Sequence, residues 1–277
     1  MNRSDFQNEM FEYIDLEYKK YCKFQNIVNE IYSVVFQIAK SNSIPLYISY
    51  GSLLGVIRDS TFLPWDSDID TMVLYKDVNK LIELLNKKLP NKYFFATNIK
   101  NSKYSGLMLR IGRKGYNLDA IHVDVFYGIY ASNVDKNRKK QIYLAKVLFD
   151  LQFQKYYVYN KASFNSIKKY YYARICTIKA KLVPGIIIKM LFRNLVNQYD
   201  NTNYILIIAG DATRVLKSED IFPGSEFELS TGSYLIFENY KSILKEMYGQ
   251  YENYTDISER FKEFYTRIRY LEREGKI

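Results

Sequence analysis

The stretch ISYGSLLGVIR (Ile48 to Arg58), followed closely by FLPWDSDID (Phe62 to Asp70), decides how the front of this chain folds. Leu46 to Tyr50 is a short apolar and aromatic run that reads as a strand entering Gly51. Ser52 then opens a helix with Leu53, Leu54 and Ile57 on one side. Pro64 ends that segment, and Asp68 to Tyr75 alternates as a second strand. A strand turning into a helix at Gly51-Ser52 makes a phosphate seat. Its backbone N–H groups, the positive end of the helix dipole and a serine hydroxyl all favour an anion, and Gly51 lets the main chain approach closely.

In the second strand Asp68 and Asp70 point to one face, and Ile69, Thr71 and Val73 to the other. Two like charges side by side call for a cation, and hard oxygen ligands at this spacing suit Mg²⁺ or Mn²⁺. A third carboxylate enters from IHVDVF (Ile121 to Phe126), where Ile121, Val123 and Val125 form a buried face and His122 and Asp124 share the other. If that strand lies beside Asp68 and Asp70, three carboxylates converge and can hold two ions. Such a pair stabilises the attacking and leaving oxygens of an in-line displacement at phosphorus.

Outward from this centre, Leu16 to about Ser41 repeats Ile27, Val28, Ile31, Val34, Val35 and Ile38 at helical spacing. Asp77 to Leu89 reads as a helix with Asp77 as its N-cap, and Gly106 to Ile111 and Ile121 to Tyr130 read as extended. Beyond Asn133 come basic, aromatic helical patterns over Asn137 to Tyr157, Phe164 to Leu182 and Gly185 to Gln198. An apolar run (Tyr204 to Ala209), a loop (Phe222 to Gly232), a helix carrying Ile243, Leu244 and Met247, and a charged helix (Ile257 to Glu274) complete the chain. The expected fold class is α/β (α+β), a mixed sheet flanked by helices with a mainly helical middle and C-terminal region. Residues 1–132 are expected to form a catalytic core and 133–277 a region packed on it.

Composition is that of a globular protein: 48% hydrophobic and 25% charged residues exclude a disordered or fibrous chain. A net charge of +10 attracts anions such as nucleotides, phosphorylated glycans or acidic lipid. Charge also suits nucleic acid, but no nucleic-acid-binding signature accompanies it. Cys22 and Cys176 form neither a disulfide framework nor a metal cluster, which fits a reducing cytoplasm. The first residues hold no apolar signal core, and no run approaches a membrane span.

GSLLGVIR (Gly51 to Arg58) with FLPWDSDID closely resembles the LicD-type phosphocholine transferases, a group related to the fukutin-type proteins and built on the nucleotidyltransferase fold. The likeness continues at HVDVF (His122 to Phe126) and at YKSILKEMYGQY (Tyr240 to Tyr251). It implies that Asp68 and Asp70 ligate metal, that Gly51 and Ser52 contact donor phosphates, and that Asp124 completes the metal site or takes the acceptor proton. Arg58 is expected to contact the donor phosphates as well; it, Trp65 and Asp66 match family positions, while Ser67 stands where the pattern more often has an acid. The implied reaction moves phosphocholine or another phospho-alditol from a CDP-linked donor to a sugar hydroxyl of a cell-surface glycan, as in capsule, lipopolysaccharide or teichoic acid biosynthesis. Two alternatives stand beside it: transfer of NMP from a triphosphate to a small molecule, protein or RNA, and a non-catalytic basic binding module.

Three further features are weighed against ordinary roles. His122 could orient a ligand or shuttle a proton, although a lone strand histidine is more often structural. Arg110 and Arg113 could meet donor phosphates, although solvated surface charge is the commoner fate of arginine. Pro184 to Asn197 shows Ile186, Ile187, Ile188, Met190, Leu191 and Leu195 between Lys189 and Arg193. It could pack on the core or lie on the inner face of a membrane, which a lipid-linked acceptor would make sensible.

Overall fold

The long helix expected at the front is present as α1, residues 24–40, and buries Ile27, Val28, Ile31, Val35 and Ile38 along one face. The computed structural model describes residues 24–253 except 64, 65, 67, 101, 102, 120, 160, 162–165 and 231. Cys22, Trp65, Ser67, Phe164 and the charged helix expected over Ile257 to Glu274 lie outside the described residues. After α1 follow β1 (Tyr47–Ile48), α2 (Tyr50–Asp59), β2 (Asp68–Leu74), α3 (Tyr75–Lys88), β3 (Tyr93–Thr97), β4 (Leu109–Arg113) and β5 (His122–Ala131). Then come α4 (Asp135–Tyr156), α5 (Ile167–Leu182), α6 (Gly185–Val196), β6 (Tyr204–Ile208), β7 (Arg214–Lys217), α7 (Ser218–Ile221), β8 (Ser225–Leu229), β9 (Gly232–Ile236) and α8 (Tyr240–Tyr248).

The strands build one mixed sheet in the order β3-β4-β5-β2-β1-β9-β8, with β6 and β7 branching from β5. Strand β5 is the trunk. Along one edge it runs parallel to β2 over its first seven residues, Asp68 opposite His122 through Leu74 opposite Gly128. Its other edge is shared: β4 pairs antiparallel with the first half and β6 with the second. A strand enclosed this way is apolar throughout except where chemistry intrudes; Val123, Val125, Tyr127 and Ile129 are buried, and so are His122 and Asp124.

The fold class is therefore the expected mixed α/β sheet with helices, and several element boundaries differ from the sequence reading. Helix α3 starts at Tyr75 directly from the end of β2, with Leu74 at its N-cap. Asp77 sits inside the first turn, where it still complements the helix dipole. Strand β3 was not expected, because its aromatic residues do not alternate with polar ones. The extended stretch near Gly106 lies further along, as Leu109–Arg113, so Arg110 and Arg113 are within a strand. Half of the Phe222 to Gly232 loop is β8, at the sheet edge, where Glu226 is exposed, a charge that discourages further strand pairing. The back of the chain thus supplies four strands as well as helices to the same sheet.

Gly55, inside α2, shows how closely the helix meets the following loop. A Cβ there would lie 2.7 Å from Leu63 N and 2.7 Å from Thr61 O, both backbone atoms that cannot rotate away. Gly55→Ala should therefore destabilise the protein by about 1–3 kcal/mol, the usual cost of overpacking, despite alanine's better helix propensity. Urea unfolding would show it, and an unchanged midpoint would contradict this packing.

Candidate metal and phosphate site

Parallel register places His122 beside Asp68 and Asp124 beside Asp70. On the other side of β5, Arg110 of β4 lies opposite Asp124 and Gly112 opposite His122. Residues opposite one another on neighbouring strands share a face, so two adjacent rows cross the sheet: Arg110, Asp124 and Asp70, then Gly112, His122 and Asp68. The hydroxyl of Thr71, on the far face, donates to the Asp124 carbonyl at 2.7 Å and pins β2 to β5 in this register.

Asp68, His122 and Asp124 form a close cluster. Each offers one ligand atom, all within 4.8 Å of one another. His122 Nε2 lies 3.0 Å from Asp68 Oδ2 and 3.6 Å from Asp124 Oδ2. Both are ion-pair contacts rather than well-aligned hydrogen bonds, and both ring nitrogens are buried. A buried imidazole nitrogen facing two carboxylates, with one ligand atom of each residue within 4.8 Å of the others, is a donor set that suits a divalent cation, so these residues are compatible with a metal ion.

Arg110 dominates the electrostatics on the other side. Its Nε and Nη2 donate to the two oxygens of Asp124 at 2.6 and 2.8 Å, and its Nη1 donates to Asp119 at 3.0 Å. Burial by itself would push the Asp124 carboxyl up, but the charges of His122 and Arg110 override it and hold the group below the ordinary carboxylate range. For His122 burial is the largest influence and opposes protonation, but the Asp124 charge together with the side-chain interactions with Asp124 and Asp68 raises its pKa on balance. Arg110 is not a solvated surface charge: its side chain is 16% exposed and engaged by two carboxylates. Its partner could not be read from the sequence, because nothing local links residue 110 to residue 124.

Both shifts predict a pH dependence in metal-free buffer. The His122 contribution to stability is complete below its unfolded pKa, about 6.5, and is lost as pH rises through its higher folded value. That of Asp124 is complete above about 3.8 and is lost as pH falls through its lower folded value. Stability measured by urea unfolding in EDTA should accordingly decline on the alkaline side, above about pH 6.5. His122→Gln should flatten that decline, and an identical slope in the variant would reject the assignment.

The turn from β1 into α2 borders this cluster. Ser49 N donates to the Asp70 carbonyl at 3.0 Å, and the Ser52 hydroxyl accepts from Asp70 N at 2.8 Å. Ser52 is 1% exposed; its hydroxyl is used to fix Asp70 against the start of the helix. Tyr50 turns the chain with φ 48°, an uncommon value for a residue other than glycine. Its ring meets Phe126 edge-on at 5.3 Å and its hydroxyl donates to the Ala212 carbonyl at 3.0 Å, which hold that conformation. Ser49 occupies the N-cap position yet makes no capping bond, so the first amides of α2 are not satisfied by their own cap. A Cβ at Gly51 would come within 2.8 Å of Asp66 Oδ2, which puts the Asp66 carboxylate against this positive helix end.

Of the residues singled out in the sequence, the structure brings together Asp68, Asp70, His122, Asp124, Arg110, Gly51, Ser52 and Asp66 around the strand ends and the start of α2. Arg58 sits in the last turn of α2, seven residues or about 10 Å along the helix from Gly51. Its guanidinium donates to both oxygens of Asp59 at 3.1 and 3.0 Å, and the pair is nearly buried.

A mixed sheet with paired acidic residues beside a strand-to-helix turn is the arrangement of a nucleotidyltransferase-type domain. Residues 43–185, just over half of the chain, match the family described as LicD/FKTN/FKRP, nucleotidyltransferase domain, and the chain belongs to that family. The family includes glycan-modifying transferases. Over 117 residues the chain is 26% identical to mannosyltransferase regulator 4 of Saccharomyces cerevisiae; the stretch covers 39% of this chain and 9% of that much longer protein.

Proposed function

We propose that this protein is a divalent-metal-dependent phosphotransferase that moves phosphocholine or a similar phospho-alditol group from a CDP-linked donor to a hydroxyl of a cell-surface glycan. The observation that supports this reading is the convergence of Asp68, His122 and Asp124, with Asp70 in register, on one sheet face next to the start of α2. Asp68, Asp70 and Asp124 hold the cation, and His122 joins them through Nε2. A bound cation supplies charge neutralisation to the donor phosphates and the leaving group. An imidazole among the ligands shifts the preference towards Mn²⁺ over Mg²⁺.

In this reading the donor phosphates lie against the amides at Gly51, Ser52 positions Asp70, and Asp66 lines the same end of the helix. Arg58 serves the fold of α2 through Asp59. The acceptor hydroxyl oxygen bonds to the donor phosphorus as the bond to the bridging oxygen of CMP breaks; CMP leaves, and the hydroxyl proton is released to solvent. Asp124, held below the usual carboxylate range, is a weak proton acceptor and is better suited to a cation than to general-base work. Residues 1–132 carry this chemistry, and 133–277 support it by extending the same sheet.

Two other readings have an observation behind them. The family description is consistent with transfer of NMP from a triphosphate, and the relative in yeast is called a regulator, which suits a chain that binds without catalysing. Thermal shifts with CDP-choline, CDP-ribitol, CDP-glycerol, CTP, ATP and GTP, each with and without Mn²⁺, separate all three. Ligand at 100 times its dissociation constant adds about 2.7 kcal/mol of stability. Metal-dependent stabilisation by one CDP-linked compound with release of CMP is the expected result. Pyrophosphate release from a triphosphate would replace the proposal by nucleotidyl transfer, and no response to any of them would favour the regulatory reading.

A further inference from the structure

The net charge is concentrated in one part of the chain. No acidic residue occurs between Asp150 and Asp200, whereas nine of the 40 lysines and arginines do, so the rest of the chain carries 31 basic against all 30 acidic residues. This segment forms the end of α4 and all of α5 and α6. It also holds ten of the twelve large hydrophobic residues that are exposed among the described residues.

Helix α5 is turned inside out relative to a helix on a globular core. Its buried positions, Ala173, Thr177 and Ala180, are small. Its large apolar residues face away: Ile167, Tyr171, Ile175, Ile178 and Leu182, spaced by four, four, three and four, are 50–79% exposed. At 100° per residue Lys168 and Lys179 flank one edge of this stripe, and Arg174 and Lys181 the other. Lys155 of α4 fixes the far end of the helix by donating to the Lys181 and Val183 carbonyls at 3.1 and 2.7 Å. Helix α6 extends the surface. Its inner residues Ile188, Phe192 and Leu195 are buried, with Phe192 5.8 Å from the ring of Tyr75, while Ile186 and Met190 are 72% and 53% exposed. Residues 184–197 therefore both pack on the core and present an apolar face outward. Among the described residues no helix is long and apolar enough to cross a membrane.

We infer that the outer face of α5 and α6 docks on the surface of an anionic lipid bilayer. The apolar stripe enters the headgroup boundary while the flanking lysines and arginines meet the acidic headgroups. A second copy of the chain is the poorer occupant, because it would bring two acid-free basic faces together. An anionic leaflet supplies the opposite charge and an apolar layer at once. The inference does not rest on the phosphotransferase reading, since neither the proposed metal ligands nor α2 takes part.

The test is flotation of the full chain with vesicles of phosphatidylcholine alone or with about a third phosphatidylglycerol. Binding to the anionic vesicles should exceed binding to the neutral ones at least tenfold and weaken with salt. A Leu182→Ser, Ile186→Ser variant and a Lys179→Glu, Lys181→Glu variant should each lose about tenfold or more at an unchanged melting temperature. Tyr143→Ser, an exposed residue outside the segment, should bind as the wild type does. Absence of vesicle binding, or equal binding by the Leu182 variant, would overturn the inference. So would a dimer in light scattering that the same variant dissociates, which would make the face a contact between copies. Because no catalysis is measured, failure here and failure of the proposed activity are separate results.

Discussion

Arg110→Met should lose about 3 kcal/mol of stability in metal-free buffer, because it leaves Asp124 ionised, buried and without its principal partner. The pair it breaks is bidentate, with contacts of 2.6 and 2.8 Å, and Asp124 is only 6% exposed. His122 remains beside Asp124, which places the loss at the lower end of the range for broken buried pairs. Adding Mn²⁺ should recover much of it, since a cation bound by Asp124 replaces the lost charge; saturation at 100 times the dissociation constant is worth about 2.7 kcal/mol. The same ion should stabilise the wild type less, because there Arg110 already neutralises the carboxylate. Removing the stranded charge as well, in Arg110→Met with Asp124→Asn, should be less harmful than Arg110→Met alone. Urea unfolding of the four proteins in EDTA and in Mn²⁺ measures all of this. If Mn²⁺ stabilises wild type and Arg110→Met equally, Asp124 does not hold the ion.

The second large effect concerns activity. Asp70→Asn is expected to reduce transfer from the CDP-linked donor by about a thousandfold, with a melting temperature close to that of the wild type. Losing one carboxylate from a divalent-cation site removes several kcal/mol of transition-state stabilisation, and about 4 kcal/mol corresponds to that factor. The fold should tolerate the change, because the Asp70 backbone, through its N–H to Ser52 and its carbonyl to Ser49, is what ties β2 to α2. Asp68→Asn should behave similarly, since its side chain is 19% exposed at the edge of the cluster. Ser52→Ala is informative by contrast. It removes the acceptor that positions Asp70 and should raise the Mn²⁺ requirement about 10- to 100-fold, as loss of a group supporting a ligand does. Full activity in Asp70→Asn under saturating Mn²⁺ would show that Asp70 is not a ligand of the catalytic ion.

The family and the front of the fold were legible because they rest on local order. Gly51-Ser52 at a strand-to-helix turn, the alternation around Asp68 and Asp70, and the apolar face that brackets His122 and Asp124 are set by spacings of a few residues. Backbone periodicity enforces such spacings wherever the chain is placed. β3 escaped because five residues rich in aromatics carry no period, and β8 because its acidic residues resemble a loop until it is seen as an edge strand.

What only the tertiary structure decided is which side chains share a site. Asp68 and His122 are 54 residues apart and Arg110 of β4 meets Asp124 of β5, and the strand register sets both neighbours. A one-residue slip in that register would have sent each side chain to the opposite face. The sequence by itself determined that three aspartates and a histidine stand at polar positions of apolar strands. Pairing of β2, β5 and β4 decided that His122 joins the carboxylates and that Arg110 holds one of them. The packing of the helices, in turn, decided that α5 buries its small residues Ala173, Thr177 and Ala180 and leaves its larger apolar residues exposed.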